Sequence, residues 1–180
     1  MSISIPLPEI GSLPSKIREA VEAMPLNIFR MAANAPASFM TLAALARSIL
    51  FESQFDPRKR EIAILRVARV TEANYEWTHH VTVARHCGVT EGQIEKIMTE
   101  DPVTSLDDEC NLLCRVADEI SRNVRLSDDA LAQILDRYGV RGATELILCV
   151  SHFNMVSRFL ESTRVPLENE DALEKIHKKN

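Results

Sequence analysis

Apolar positions recur at helical spacing along most of this chain, with no sustained alternating run and few glycine-centred hairpin signals. The pattern predicts an all-α fold. Helices are expected over about 14–24, 27–50, 56–71, 74–87, 90–97, 106–124, 127–138 and 140–162, the second broken near Ala35-Pro36. Several ends carry their own signals. Asp56-Pro57 opens a helix with a capping carboxylate and a proline suited to the first turn. Gly88 can end the 74–87 helix in a left-handed conformation, and Thr90 with Gln93 has the spacing of a capping box. Asp101-Pro102 begins a loop. Residues 1–180 read as one domain, whose polar tail over 166–180 is expected to extend or to pack on a neighbour.

The 56–71 segment is apolar nearly all round through Ile62, Ala63, Ile64, Leu65, Val67, Ala68 and Val70, the pattern of a central helix surrounded by others. Glu61 interrupts it and should be partly buried. On the next helix Glu76 and His80 are four residues apart, ~6 Å along the axis and on one face. These two side chains are expected to share a proton. Each group also has a structural reading: Glu61 as the partner of a nearby arginine, Glu76 and His80 as a helix-stabilising pair, Tyr75 and Trp77 as packing.

With 180 residues, 46% hydrophobic and 26% charged, the chain can bury roughly 70% of its extended surface, so its core needs neither a disulfide nor a structural metal. A net charge of -5 removes general nucleic-acid binding from consideration. The start, M-S-I-S-I-P-L-P-E-I, lacks the basic and apolar stretches of a secretory signal, and no segment has the length of a membrane span. A cytoplasmic location, without membrane contact, is expected. Cys87, Cys110, Cys114 and Cys149 form no CxxC pair or zinc-ligand spacing and read as buried free thiols, Cys110 and Cys114 packing as neighbours.

The run R-K-R-E-I-A-I-L followed by N-Y-E-W-T-H-H-V-T-V-A-R-H-C-G-V-T-E-G-Q-I-E-K-I resembles the carboxymuconolactone decarboxylase family over residues 56–98. That resemblance implies the all-helical bundle shared with alkylhydroperoxidase D-like proteins, and self-association as trimers or hexamers. The peroxidase branch carries a Glu, a CxxC pair and a His. Glu61 and His80 match the first and last, but the cysteine positions fall at Ala73 and Glu76, so both thiols of that chemistry are missing. Cys87 alone has a case as a substitute nucleophile, and it would need an outside resolving partner.

The decarboxylase branch is the better match, because its Y-E-W-x-x-H is present as Tyr75, Glu76, Trp77 and His80. A small carboxylated, lactone-like substrate is implied. Losing carbon dioxide leaves electrons on an enolate-like fragment, which a catalyst must stabilise and protonate. Glu61, Glu76 and His80 are the expected acid-base residues; Tyr75, Trp77, Arg58 and Arg66, with Arg60 as a further choice, are expected to contact substrate, the arginines by gripping its carboxylate. A peroxidase-related antioxidant protein lacking the CxxC pair and a non-catalytic oligomeric binding protein are the alternatives.

Glu76 and His79 also have the E-x-x-H spacing of helical di-iron sites, but no second copy accompanies them, so neither metal nor cofactor is expected. His79 should be exposed or interfacial, His86 and His177 superficial, and His152 a satisfied core histidine.

Overall fold

A computed structural model describes residues 3–168, and His177 with the end of the polar tail lies outside them. Eight α-helices are present among the described residues, and no strand. They are α1 Ser15–Ala23, α2 Asn27–Ala32, α3 Pro36–Arg47, α4 Pro57–Val70, α5 Asn74–His86, α6 Glu91–Thr99, α7 Asp108–Asn123 and α8 Asp128–Thr163. A 3₁₀ turn at Ile10–Ser12 and a π turn at Ser48–Glu52 complete them, neither carrying a distinctive sequence signal. The expected break near Ala35-Pro36 separates α2 from α3. A second break falls inside α8, where Gly139 leaves helical geometry at φ 65. It divides the 127–138 and 140–162 segments; φ there is in the region where glycine alone lacks a steric penalty.

The helices fall into two compact units. Among the described residues, one comprises 3–48 and 160–168, the other Ile49–Phe159. In the first, α3 packs on α1 and α2 around buried Ile17, Val21, Met31 and Phe39. An extended N-terminal strap is pinned there through polar groups: Arg30 Nε donates to the Pro8 carbonyl at 2.8 Å and Asn34 Nδ2 to that of Pro6 at 3.0 Å.

In the second unit α4 is the axis, packed against α5, α6 and α7. Asp56 caps it by accepting from the Lys59 amide at 3.0 Å, with Pro57 in the first turn. Every residue from Arg60 to Ala68 is buried, so this helix is held by burial on all sides; each Ile, Leu or Val contributes roughly 1.5–3 kcal/mol. A three-residue connection, Thr71–Ala73, turns the chain into α5, with Glu72 at φ 56. Gly88 at φ 86 ends the next turn, and the Thr90–Gln93 capping box starts α6.

Arg66, expected to contact substrate, is instead a structural cation. It is 1% exposed, and its five N–H groups reach both oxygens of Asp118, Asp101 Oδ1 and the carbonyls of Ile97 and Glu100 at 2.6–3.2 Å. The guanidinium thereby ties α4 to α7 and to the end of α6. Breaking a buried pair of this kind leaves an uncompensated charge. Arg66→Met should therefore lower the urea-unfolding free energy by about 3–5 kcal/mol; a loss under about 1 kcal/mol would show that the network is not holding the unit together.

His152 is buried on α8 as expected, but its Nδ1 makes no hydrogen bond, so it is not satisfied. Burial pushes its imidazole down to about 4. As pH falls below the ordinary value near 6.5, the unfolded chain gains a proton that the folded chain refuses until about 4, so stability is lost through that window. In His152→Leu the drop in unfolding free energy between neutral pH and the acid end of the window should shrink by about 2–3 kcal/mol. An unchanged drop would place the acid sensitivity elsewhere.

Candidate functional site

Glu61 sits in the second turn of α4 with no exposed surface. Its placement follows from the periodicity, because every other position of that stretch is buried as well and the helix offers the carboxylate no route to water. A charge there requires compensation from neighbouring groups. His80, one helix further on, provides it: Nδ1 lies 2.7 Å from Glu61 Oε2, and the imidazole side chain keeps 13% exposure. The couple thus joins a dry carboxylate to a ring that touches solvent.

The hydrogen bond of His80 runs between helices, to Glu61, where the i, i+4 spacing had pointed to Glu76. Glu76, 2% exposed in the first turn of α5, meets α8 instead: Ser157 Oγ donates to its Oε2 at 2.9 Å. Ser157 also lies 2.8 Å from the Phe153 carbonyl, the usual backbone acceptor for a helical serine. Phe153 packs edge-on against the His80 ring, with centroids 4.9 Å apart. Neither Ser157 nor Phe153 carries a signal in the sequence. Only the packing of α8 on α5 brings them to the site.

Arg60 is buried beside Glu61, its Nε 3.7 Å from Glu61 Oε1. Arg58 is half-buried and donates through Nε to the Gly88 carbonyl at 3.2 Å. Tyr75 is buried and stacks on His79 at 4.6 Å, while Trp77 is half-buried. His79, expected at the surface or an interface, is 8% exposed: the i, i+4 stack with Tyr75 draws it onto the inner face of α5. His86 is exposed, as expected.

The thiols are uniformly disfavoured as thiolates. Cys87 is half-buried, and burial followed by the nearby Glu61 charge pushes its pKa up. Burial raises Cys110 to about 11 and Cys114 to about 12, and Cys149 is also raised by burial and then by Glu61. Among the described residues no group of three or more His, Cys, Asp or Glu side chains is arranged to hold a metal ion, and no helix is long and apolar enough to cross a membrane.

The profile of the carboxymuconolactone decarboxylase family matches residues 36–119. No curated protein matches the chain in sequence. Solved structures are similar in fold. One, an alkylhydroperoxidase AhpD core described as an uncharacterized peroxidase-related protein from Ralstonia eutropha JMP134, has a TM-score of 0.80 at 14% identity, covering 94% of this chain and 95% of its own. A second peroxidase-related protein, from Silicibacter sp. TM1040, gives 0.77 at 17%, covering 93% and 92%. A protein of unknown function from Agrobacterium tumefaciens, provisionally ascribed to antioxidant defence as AhpD, gives 0.65 at 20%, covering 77% of this chain and 96% of its own. The chain is thus similar over residues 36–119 to the carboxymuconolactone decarboxylase family, and its fold is that of these AhpD-like structures.

Proposed function

We propose that this protein is an acid-base enzyme of the decarboxylase type, acting on a small carboxylated, lactone-like metabolite at the Glu61–His80 couple. The observation that supports the reading best is the 2.7 Å bond between a carboxylate with no exposed surface and a partly exposed imidazole. A functional site that shuttles protons needs such a pair, one member shielded and the other within reach of substrate. With Glu61 ionised, Nδ1–H donates to it and Nε2 is left to exchange a proton with the substrate. Nε2 takes the proton of the substrate's carboxyl group, and Glu61 stabilises the imidazolium so formed. The C–C bond breaks to release carbon dioxide with its electron pair left on the enolate-like fragment, and return of the proton to that carbon completes the turnover.

Glu76 serves as a second carboxyl in this reading, held by Ser157, while Tyr75 and Trp77 shape the site and Arg58 remains the cation for a substrate carboxylate. The protein is taken to work as a single cytoplasmic domain that self-associates, as trimers or hexamers, without nucleic acid or membrane. Exposed Phe51, Val140, Leu148 and Met155 favour self-association, since apolar side chains in water gain from burial.

The runner-up is a peroxidase-related activity, favoured by how two of the similar structures are described. Peroxide reduction by a thiol requires a thiolate, and all four cysteines are shifted away from that form. Purified protein assayed for carbon dioxide release from carboxylated lactones, and for hydroperoxide consumption with a dithiol, separates the two. Decarboxylation should fall by roughly 10²–10⁴-fold in His80→Ala, the span of general acid-base catalysis, and persist in Cys87→Ser. Peroxide turnover lost in Cys87→Ser would replace this reading, and silence in both assays would leave a binding protein. Light scattering should give a mass of at least three chains; a monomer would contradict the assembly.

A further inference from the structure

Two polar atoms beside the couple have no hydrogen-bond partner. Arg60 Nε and Glu61 Oε1 are shut off from solvent, on residues 6% and 0% exposed. A buried polar atom left in this state forfeits its hydration with nothing in return, and folded proteins carry few of them. They do not satisfy each other, because 3.7 Å is too long for a hydrogen bond. Oε2 of the same carboxylate is already engaged with His80. The two atoms are also complementary: Nε–H can only donate, and an ionised Oε1 can only accept. One oxygen atom placed ~2.9 Å from each would complete both, provided it accepts one hydrogen bond and donates another.

We propose that this pair binds a neutral hydroxyl group of the small-molecule substrate, its oxygen accepting from Arg60 Nε–H and its hydrogen donating to Glu61 Oε1. The inference rests on the acid-base reading of the site and narrows the ligand class. A ketone or ether oxygen satisfies Arg60 but leaves Glu61 Oε1 facing a lone pair. A carboxylate does worse, since its charge would lie against that of Glu61 in surroundings that screen the repulsion poorly. Arg60 is therefore not the carboxylate grip that its charge suggested. The neighbouring glutamate changes what it selects, and an alcohol or enol hydroxyl is the group that fits both atoms. A hydroperoxide carries the same terminal O–H and enters on the same terms.

The test uses the full chain labelled with ¹⁵N at arginine, the Arg60 Nε–H resonance being identified by its loss in Arg60→Lys. Three probes share one ring: cyclopentanol, cyclopentanone and cyclopentanecarboxylate. Cyclopentanol should move the resonance saturably and bind roughly tenfold tighter than either other probe, a difference of about 1.4 kcal/mol. Glu61→Gln should reduce that preference to about threefold or less, because an amide can donate to a ketone as well as accept from an alcohol. tert-Butyl hydroperoxide set beside tert-butanol distinguishes the two hydroxyl sources, tighter binding of either identifying the natural one. Equal binding of the three ring probes overturns the proposal. So does a resonance that none of them moves, which would assign the pair to an internal water. Neither outcome touches the carbon dioxide assay, so hydroxyl selectivity can fail while His80-dependent turnover stands. Loss of turnover with selectivity retained would make this a hydroxyl-binding site without the chemistry.

Discussion

A carboxylate with no access to water, near the start of the buried run of α4, is the constraint around which the second unit is arranged. Moving an ionised carboxylate into such surroundings costs several kcal/mol unless charge and hydrogen bonds replace the lost water. Glu61 obtains them from His80 at 2.7 Å and, more weakly, from Arg60 at 3.7 Å. His80 reaches it only because the short Thr71–Ala73 connection folds α5 back along α4. Phe153 then supports the imidazole from α8. Tight turn, helix packing and aromatic contact all serve to place one ring against one oxygen.

The same helix buries a second charge, Arg66. Arg66 lies five residues beyond Glu61 with every donor occupied, by three carboxylate oxygens and two carbonyls. A buried charge completed in this way fastens elements together and has nothing left for a ligand. Glu61 keeps one oxygen without a hydrogen bond, and its neighbour Arg60 keeps one N–H. Departures from full satisfaction in an otherwise consistent core mark sites with work beyond folding. By that criterion α4 is fully satisfied at its Arg66 end and incompletely satisfied near its start.

Much of the scaffold was legible in the sequence because its signals are local. The Asp56-Pro57 start, the Gly88 stop, the Thr90–Gln93 capping box and the interruption near residue 139 depend on residues within a turn of one another. The resemblance to the carboxymuconolactone decarboxylase family was legible as well, in a run that holds Glu61, Tyr75, Glu76, Trp77 and His80, and the family model matches over that run. The site was legible only in its members. That His80 faces Glu61, 19 residues away, and that Glu76 faces Ser157, 81 residues away, depends on how three helices pack. Arg66 was misread for the same reason: its acceptors lie 31–52 residues further on, and a buried arginine looks like an exposed one until they are known. His79 was misread because its i, i+4 neighbour Tyr75, rather than its polarity, decides where it points.

The acid-base site depends on the Glu61–His80 bond, and the tautomer of His80 reports on it directly. Long-range ¹H–¹⁵N correlation on histidine-labelled protein distinguishes a ring protonated at Nδ1 from one protonated at Nε2. With the neutral ring at alkaline pH, a carboxylate at Nδ1 holds the proton there, so His80 should be the Nδ1–H tautomer and lose that preference in Glu61→Gln. A neutral His80 protonated at Nε2, unaffected by removal of the Glu61 charge, would contradict the couple and with it the acid-base site.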